Sequence, residues 1–164
     1  MRNYDLAIAN DHAGFDLKLK ILEFLTHIGY EIYSNNPANR HLITYQNKKK
    51  SIIDLGSYNT DRVDYPDYAK KVVEEIIEDN IKQGILICGT GIGMSIAANR
   101  SSSVRAALCL NEFMAERSRL HNNANVLVLA SKITEEPVVF RIISKFLTTE
   151  FESGRHAQRV NKIS

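Results

Sequence analysis

Residues 84–99, Gly84-Ile-Leu-Ile-Cys-Gly-Thr-Gly-Ile-Gly-Met-Ser-Ile-Ala-Ala-Asn99, constrain the fold more than any other stretch of the chain. The apolar run 84–87 reads as a buried strand. Cys88, Gly89, Thr90, Gly91 and Gly93 follow as a loop, and a helix of small residues begins near Ile92. A thiol therefore stands where a strand meets a glycine loop. Such a loop turns backbone N–H groups outward, and the helix behind it adds the positive end of its dipole. Both suit an anion or a developing oxyanion. The same surroundings can lower a thiol's pKa and favour the thiolate. The stretch points to chemistry on a small anionic molecule.

The rest of the chain repeats the alternation of strand and helix. Strands are predicted over 4–9, 30–33, 84–88, 104–109 and 125–130. Leu17, Ile21, Phe24, Leu25 and Ile28 recur at helical spacing before Gly29. Further helices are predicted over 67–79, 92–99 and 112–120. The last long one carries the stripe Val138, Val139, Ile142, Ile143, Phe146 and Leu147, with Thr134 as its cap. Strands that alternate with helices pair in parallel through right-handed crossovers. The expected fold is a three-layer α/β/α sandwich around a five-stranded, mainly parallel, Rossmann-like sheet. It forms one domain over 1–164, with a helical tail from about 150. Residues 34–51 are too polar for this pattern. Two readings stay open there: a surface insertion, or a small hairpin ending at Ile52-Ile-Asp-Leu55.

Composition removes several classes of function. The net charge of +2 is too balanced to predict nucleic-acid binding. The one compact basic run, Lys48-Lys49-Lys50, lies in the polar stretch. No apolar run is long enough to span a bilayer, and Asp11 and His12 appear before any signal-peptide core could form. Cys88 and Cys109 form no C-x-x-C, so neither a disulfide framework nor a zinc site is indicated. A cytoplasmic location is expected. The dinucleotide pattern G-x-G-x-x-G, counted from Gly89, needs glycine at 94 and finds Met94. The chain also lacks G-x-x-x-x-G-K-[ST], so neither a nicotinamide cofactor nor a phosphate-loop NTPase is expected.

Ligands of an open parallel sheet bind beyond the carboxyl ends of its strands. Asn10-Asp11-His12 end the first strand, and Cys88-Gly89-Thr90 end the third. His121-Asn122-Asn123 lie in the turn before the fifth. The expectation is that these three segments converge near one edge. Each member also has a structural reading. Cys88 could be a small buried hydrophobe, Asp11 a helix cap and His121 a residue at a helix C-terminus. Cys109 reads as core. Arg155 and Arg159, four apart in the tail, share one helix face and could grip a phosphate, or simply end a solvated basic helix.

Taken together, these segments resemble the B-type ribose-5-phosphate isomerases, a family that includes galactose-6-phosphate isomerase subunits. The matching pieces are Asp11-His-Ala-Gly14, Asp64-Tyr-Pro66, Ile87-Cys-Gly-Thr-Gly-Ile-Gly93, Ile96-Ala-Ala-Asn99, His121-Asn122 with Asn125-Val126, and Gly154-Arg-His-x-x-Arg159. They cover nearly the whole chain in family order. The resemblance implies interconversion of D-ribose 5-phosphate and D-ribulose 5-phosphate through an enediolate, with neither metal nor organic cofactor.

By position, the resemblance makes Cys88 the base that moves a proton between C1 and C2, with Thr90 positioning or polarising the substrate. The amides of Gly89, Gly91 and Gly93 become the anion hole. His121, with Asp11 as its partner, opens the furanose ring. Arg155, Arg159 and His12 grip the phosphate, Asn122 contacts a substrate hydroxyl, and Tyr65 walls the pocket. The assembly it implies is a homodimer with shared active sites as the minimum, a tetramer being the larger alternative.

Three departures from the family's pattern stand out. One branch of the family uses a glutamate base where this chain has Met94, which puts this chain in the cysteine branch. The family commonly has arginine eleven positions after the ring-opening histidine, where this chain has Lys132 in the phosphate site. Lysine keeps the charge and loses the bidentate fork. The polar stretch 34–51 is longer than the family's usual connection. The nearest rival reading is a hexose-6-phosphate isomerase of the allose or galactose type. A rival of another class is a nucleotide- or flavin-binding module, which would leave Cys88, His121 and the arginine pair without a role.

Overall fold

Along every central strand, successive side chains enter different cores. Leu6, Ile8, Ile85, Ile87, Leu127 and Leu129 belong to one buried cluster. Ala7, Ala9, Leu86, Cys88, Val126 and Val128 belong to the other. Strands buried on both faces read as continuous apolar runs, and helices must cover each face. The computed structural model describes residues 4–34 and 50–163. The polar stretch expected over 34–51 falls, apart from its ends, outside the described residues.

The elements are β1 (Tyr4–Asn10), a 3-10 turn (His12–Gly14), α1 (Phe15–His27), β2 (Tyr30–Ser34), β3 (Lys50–Asp54), α2 (Tyr65–Ile77) and β4 (Ile81–Cys88). After them come α3 (Ile92–Ala98), β5 (Ala106–Leu108), α4 (Glu112–Asn122), β6 (Val126–Ala130), α5 (Glu136–Thr148) and α6 (Arg155–Val160). The strand order is β2-β3-β1-β4-β6-β5, and every pairing is parallel. Residues of α1, α4 and α5 fill one core. Those of α2 and α3 fill the other. This is the expected three-layer sandwich.

Three expectations need correction. The sheet has six strands rather than five, because Lys50–Asp54 inserts between β1 and β2. That segment is no arm of a hairpin: Ile52 is in parallel register with both Leu6 and Ile32. Its short apolar core is framed by polar residues, which hides a strand whose neighbours supply the pairing. Thirdly, Thr134 does not cap α5. The N-cap position is Glu135, and Thr134 Oγ1 is buried without a partner among the described residues.

Ile52 is fully buried. Ile52→Ala should lower the unfolding free energy by about 2–5 kcal/mol in urea titration, the usual cost of truncating a core aliphatic. A loss below about 0.5 kcal/mol, the range for surface substitutions, would contradict its place in the sheet.

Candidate active site

β4 delivers Cys88 to the carboxyl rim of the sheet. Gly91 then turns the chain back with φ +77°, a left-handed conformation that disfavours any side chain. The turn points the Gly91 N–H at Cys88 Sγ, 3.0 Å away. Negative charge on that sulfur would therefore meet a backbone donor. Cys88 is 5% exposed, so the sulfur sits in a nearly dry recess. Thr90 is exposed beside it, and its Oγ1 accepts from the Ile92 amide at 3.4 Å. A Cβ on Gly93 would stand 2.7 Å from the Tyr65 ring, so glycine there lets the ring lie directly on the loop. Tyr65 itself begins α2 and remains 40% exposed.

Neighbouring strand ends lock this loop in place. Ser131, just past β6, donates its amide to the Cys88 carbonyl, and its hydroxyl donates to the carbonyls of Ala13 and Cys88. The Lys132 amide donates to Gly89 O at 3.0 Å, and the Lys132 stem lies over Gly89. Asp11 follows β1. Its Oδ1 accepts from the amides of Ala13 and Gly14 at 2.9 and 3.1 Å, so Asp11 caps the 3-10 turn. His12 Nδ1 accepts from the Val63 amide at 3.3 Å, which leaves the proton of a neutral ring on Nε2. Cys88, the glycine loop, Thr90, Tyr65, Lys132, Asp11 and His12 thus share one rim. Met94, at the alternative base position, is wholly buried in the core.

His121 and Asn122 do not join them within one chain. Both lie in the last turn of α4, which runs from the carboxyl end of β5 to the amino end of β6. They therefore lie at the amino rim, about 15 Å away along the five residues of β6. A cavity of about 540 Å³ opens at that rim among Asp5, Tyr30, Lys50, Ile81, Arg119 and Asn123, close to where the strands begin. The expected convergence of three segments on one edge is corrected on this point. A turn that precedes a parallel strand belongs to the opposite edge from a turn that follows one.

His121 has partners that the sequence did not single out. Its ring stacks on His156 with centroids 4.1 Å apart and planes 6° from parallel. Its Nε2 is 3.8 Å from Glu152 Oε2 and 3.5 Å from an Arg117 nitrogen. Asp11 does not meet His121 in the same chain; Glu152 does. His156 is buried, accepts from Arg155 Nε at 3.4 Å and lies 3.9 Å from Glu152. Burial, and then the neighbouring His121, hold its pKa below the usual histidine value. Arg155 and Arg159 are exposed on α6 beside this cluster. Signals for the missed residues existed: Arg117 lies one helical turn before His121, and His156 is inside the Gly-Arg-His motif.

By residue type, His121, Glu152 and His156 could hold a metal ion, and their ligand atoms lie within 4.8 Å of one another. The arrangement does not suit one. Nearly parallel stacked rings direct their lone pairs side by side instead of towards a common point, and Arg117 adds positive charge at the same nitrogen. The cluster is better matched to an anion.

The fold and the thiol loop together define a Rossmann-like α/β protein with a glycine-rich thiol loop at the carboxyl ends of its strands, where ligands of such sheets bind. The sequence model of the Ribose/Galactose Isomerase family matches residues 36–163. The chain belongs to that family. Ribose-5-phosphate isomerase B of Escherichia coli is 36% identical over 159 residues, covering 97% of this chain and 93% of its own. The ribose 5-phosphate isomerase structure from Thermotoga maritima is 44% identical, with a TM-score of 0.83 over 98% of this chain and 97% of its own. The Mycoplasma genitalium ribose-5-phosphate isomerase B structure with bound ribulose-5-phosphate is 36% identical, with a TM-score of 0.80 over 99% of this chain and 95% of its own.

The two cysteines should differ in reactivity. Burial pushes the Cys109 thiol up to about 11, and the residue is 1% exposed. At pH 8 about one Cys109 in a thousand is then thiolate. Iodoacetamide on the folded protein should label Cys88 first by mass spectrometry, with Cys109 reacting only after denaturation. Faster labelling at Cys109 would contradict the assignment of core and site.

Proposed function

We infer that this chain is an aldose–ketose isomerase interconverting D-ribose 5-phosphate and D-ribulose 5-phosphate. The observation that carries the reading is the Cys88 sulfur facing the Gly91 amide at the carboxyl rim, in a chain of this family. The relatives named ribose-5-phosphate isomerase B, one of them holding ribulose-5-phosphate, support the substrate.

The chemistry needs a base, a place for negative charge and a grip on the phosphate. The Cys88 thiolate takes the proton from C2 of the open-chain aldose. The C–H electron pair becomes the C1–C2 double bond, and charge passes to O1. The amides of Gly89, Gly91 and Gly93, with the Thr90 hydroxyl, offer donors to that charge. The thiol returns its proton to C1, O2 becomes the carbonyl, and the O2 proton passes to O1. Tyr65 flanks the sugar, and His12 and Lys132 approach the phosphate. That remote charge supplies binding energy which holds the carbon chain against the sulfur.

Ring opening requires a proton to move from the anomeric hydroxyl to the ring oxygen, a task for His121. With His121, Asn122, Arg155 and Arg159 at the amino rim, a complete site takes its second half from another copy of the chain. The proposed assembly is therefore a homodimer with two composite sites. An apolar surface suits such an interface: Ile92 and Ile96 on one face of α3 are 55% and 63% exposed, and Phe113 at the start of α4 is 65% exposed. Within the described residues no helix is long and apolar enough to cross a membrane. The free thiols of Cys88 and Cys109 suit the reducing cytoplasm.

Cys88→Ala should reduce isomerisation of ribose 5-phosphate by about 10²–10⁴-fold while the fold survives, the range expected for removing a general base. Full activity in that variant would remove Cys88 as the base. His121→Ala should slow turnover of ribose 5-phosphate more than that of ribulose 5-phosphate, which has no furanose ring to open; equal losses would argue against ring opening. Lys132→Arg should lower the KM by about fivefold, one added hydrogen bond to phosphate being worth ~1 kcal/mol. An unchanged KM would place Lys132 outside the phosphate grip.

A further inference from the structure

Lys18 is fully buried, yet nothing in the proposed proton transfers uses it. Its Nζ donates to Asp54 Oδ1 at 2.9 Å and to the Ser57 carbonyl at 2.5 Å. The Tyr58 and Phe15 rings lie against the ammonium, 4.9 and 5.6 Å from their centroids. Burial lowers its pKa, and the Asp54 carboxylate opposes that shift. A buried ion pair contributes little net stability over an apolar pair of the same volume. What an ammonium adds is simultaneous bonding to several segments. Here it ties α1, the end of β3 and the Gly56-Ser57 corner to one point.

We propose that Lys18 and Asp54 are positioning residues for His12, their ion pair fixing the Gly56-Ser57 corner that holds the Asp11-His12 turn. The inference rests on the isomerase reading, in which His12 approaches the substrate phosphate. The links are continuous. Asp54 Oδ1 also accepts from the Gly56 amide at 3.0 Å. The Asn10 amide donates to Gly56 O at 2.7 Å, and the Ser57 amide donates to Asn10 O at 2.9 Å. The Asn10 side chain continues the path, Nδ2 donating to Ser57 Oγ at 3.1 Å and to Asp11 O at 2.8 Å. Its Oδ1 is buried and has no partner among the described residues, so those two acceptors set the orientation of the amide.

The chain leaving Ser57 closes the path from the other side. Ser57 Oγ donates to Asn59 O at 3.3 Å, and the Val63 amide donates to His12 Nδ1. The imidazole is thus held by a segment whose near end is pinned by Lys18. Loss of the pin frees the corner, loosens the Val63 contact and lets the ring exchange tautomers. The catalytic sulfur stands on a different strand, locked by Ser131, and is left in place.

The test is the paired substitution Lys18→Met with Asp54→Asn, which removes both charges at similar volume. Two quantities are read: the ring ¹⁵N shifts of His12 without substrate, and kcat and KM for ribose 5-phosphate. In the wild type Nδ1 should resonate as an unprotonated acceptor, and in the pair variant it should move towards a tautomer average. KM should rise about fivefold or more, with kcat falling less than about twofold. In a His12→Ala background the same pair should change KM by less than about twofold, because the affected group is already gone.

A folded pair variant with wild-type His12 shifts and KM overturns the proposal, and so does an undiminished KM rise in the His12→Ala background. If the pair variant does not fold, Ser57→Ala breaks the path one link later and is held to the same two readouts. A wild-type protein that leaves ribose 5-phosphate unchanged overturns the isomerase reading instead; the substrate-free His12 shifts still decide the positioning role.

Discussion

Every strand of this sheet runs the same way, so every crossover helix starts at one rim and finishes at the other. That single directional constraint sorts the polar residues. Those following a strand, Asp11, His12, Cys88, Thr90 and Lys132, gather at the carboxyl rim. Those finishing α4 or following α5, His121, Asn122, Arg155 and Arg159, gather at the amino rim. Among the described residues, one rim presents a thiol beside an amide cradle, and the other presents two stacked imidazoles with guanidiniums around them. Two copies related by symmetry can bring unlike rims together twice.

The carboxyl rim is built to be stiff where chemistry needs a fixed geometry. Gly91 holds a left-handed turn, and Ser131 ties its own segment and the turn after β1 to the end of β4. Lys18 draws a third region into the same frame at the cost of desolvating an ammonium. The buried Asn10 Oδ1, without a partner among the described residues, costs about 1–3 kcal/mol on its own. Such costs accumulate around the Asp11-His12 turn and not elsewhere in β1, whose other inward side chains are aliphatic. The amino rim is different in kind. Its groups are mostly basic and mostly exposed around the buried His156 on which His121 stacks, a surface suited to receive an anion.

Periodicity made most of this legible in advance. The stripe from Val138 to Leu147 lies in α5, and the apolar run before Cys88 lies in the buried β4, which begins at Ile81, three residues before the expected start. β3 was legible only as one open alternative, the arm of a hairpin ending at Ile52-Ile-Asp-Leu55, because its parallel pairing comes from two flanking partners and not from its own short composition. The thiol loop could be read from three glycines, and Gly91 and Gly93 each have a physical reason to be glycine. The place of His121 was misread for a topological reason. Its segment precedes β6 whereas the other two follow strands, so it lies at the opposite rim; the reading of His121 as a residue at a helix C-terminus holds. Glu152 was silent in sequence, since its contact with His121 depends on how the segment after α5 folds back against α4.

Subunit complementation tests the composite site most directly. Cys88→Ala and His121→Ala chains, each impaired alone towards ribose 5-phosphate, are unfolded together in equal amounts and reassociated. If each site takes its sulfur from one chain and its imidazole from the other, half the particles are mixed and each carries one intact site. Activity should then return to about a quarter of the wild-type value. If both groups served within one chain, every site would keep a lesion. A mixture as inactive as its two components, with mixed particles demonstrably present, would contradict the shared site.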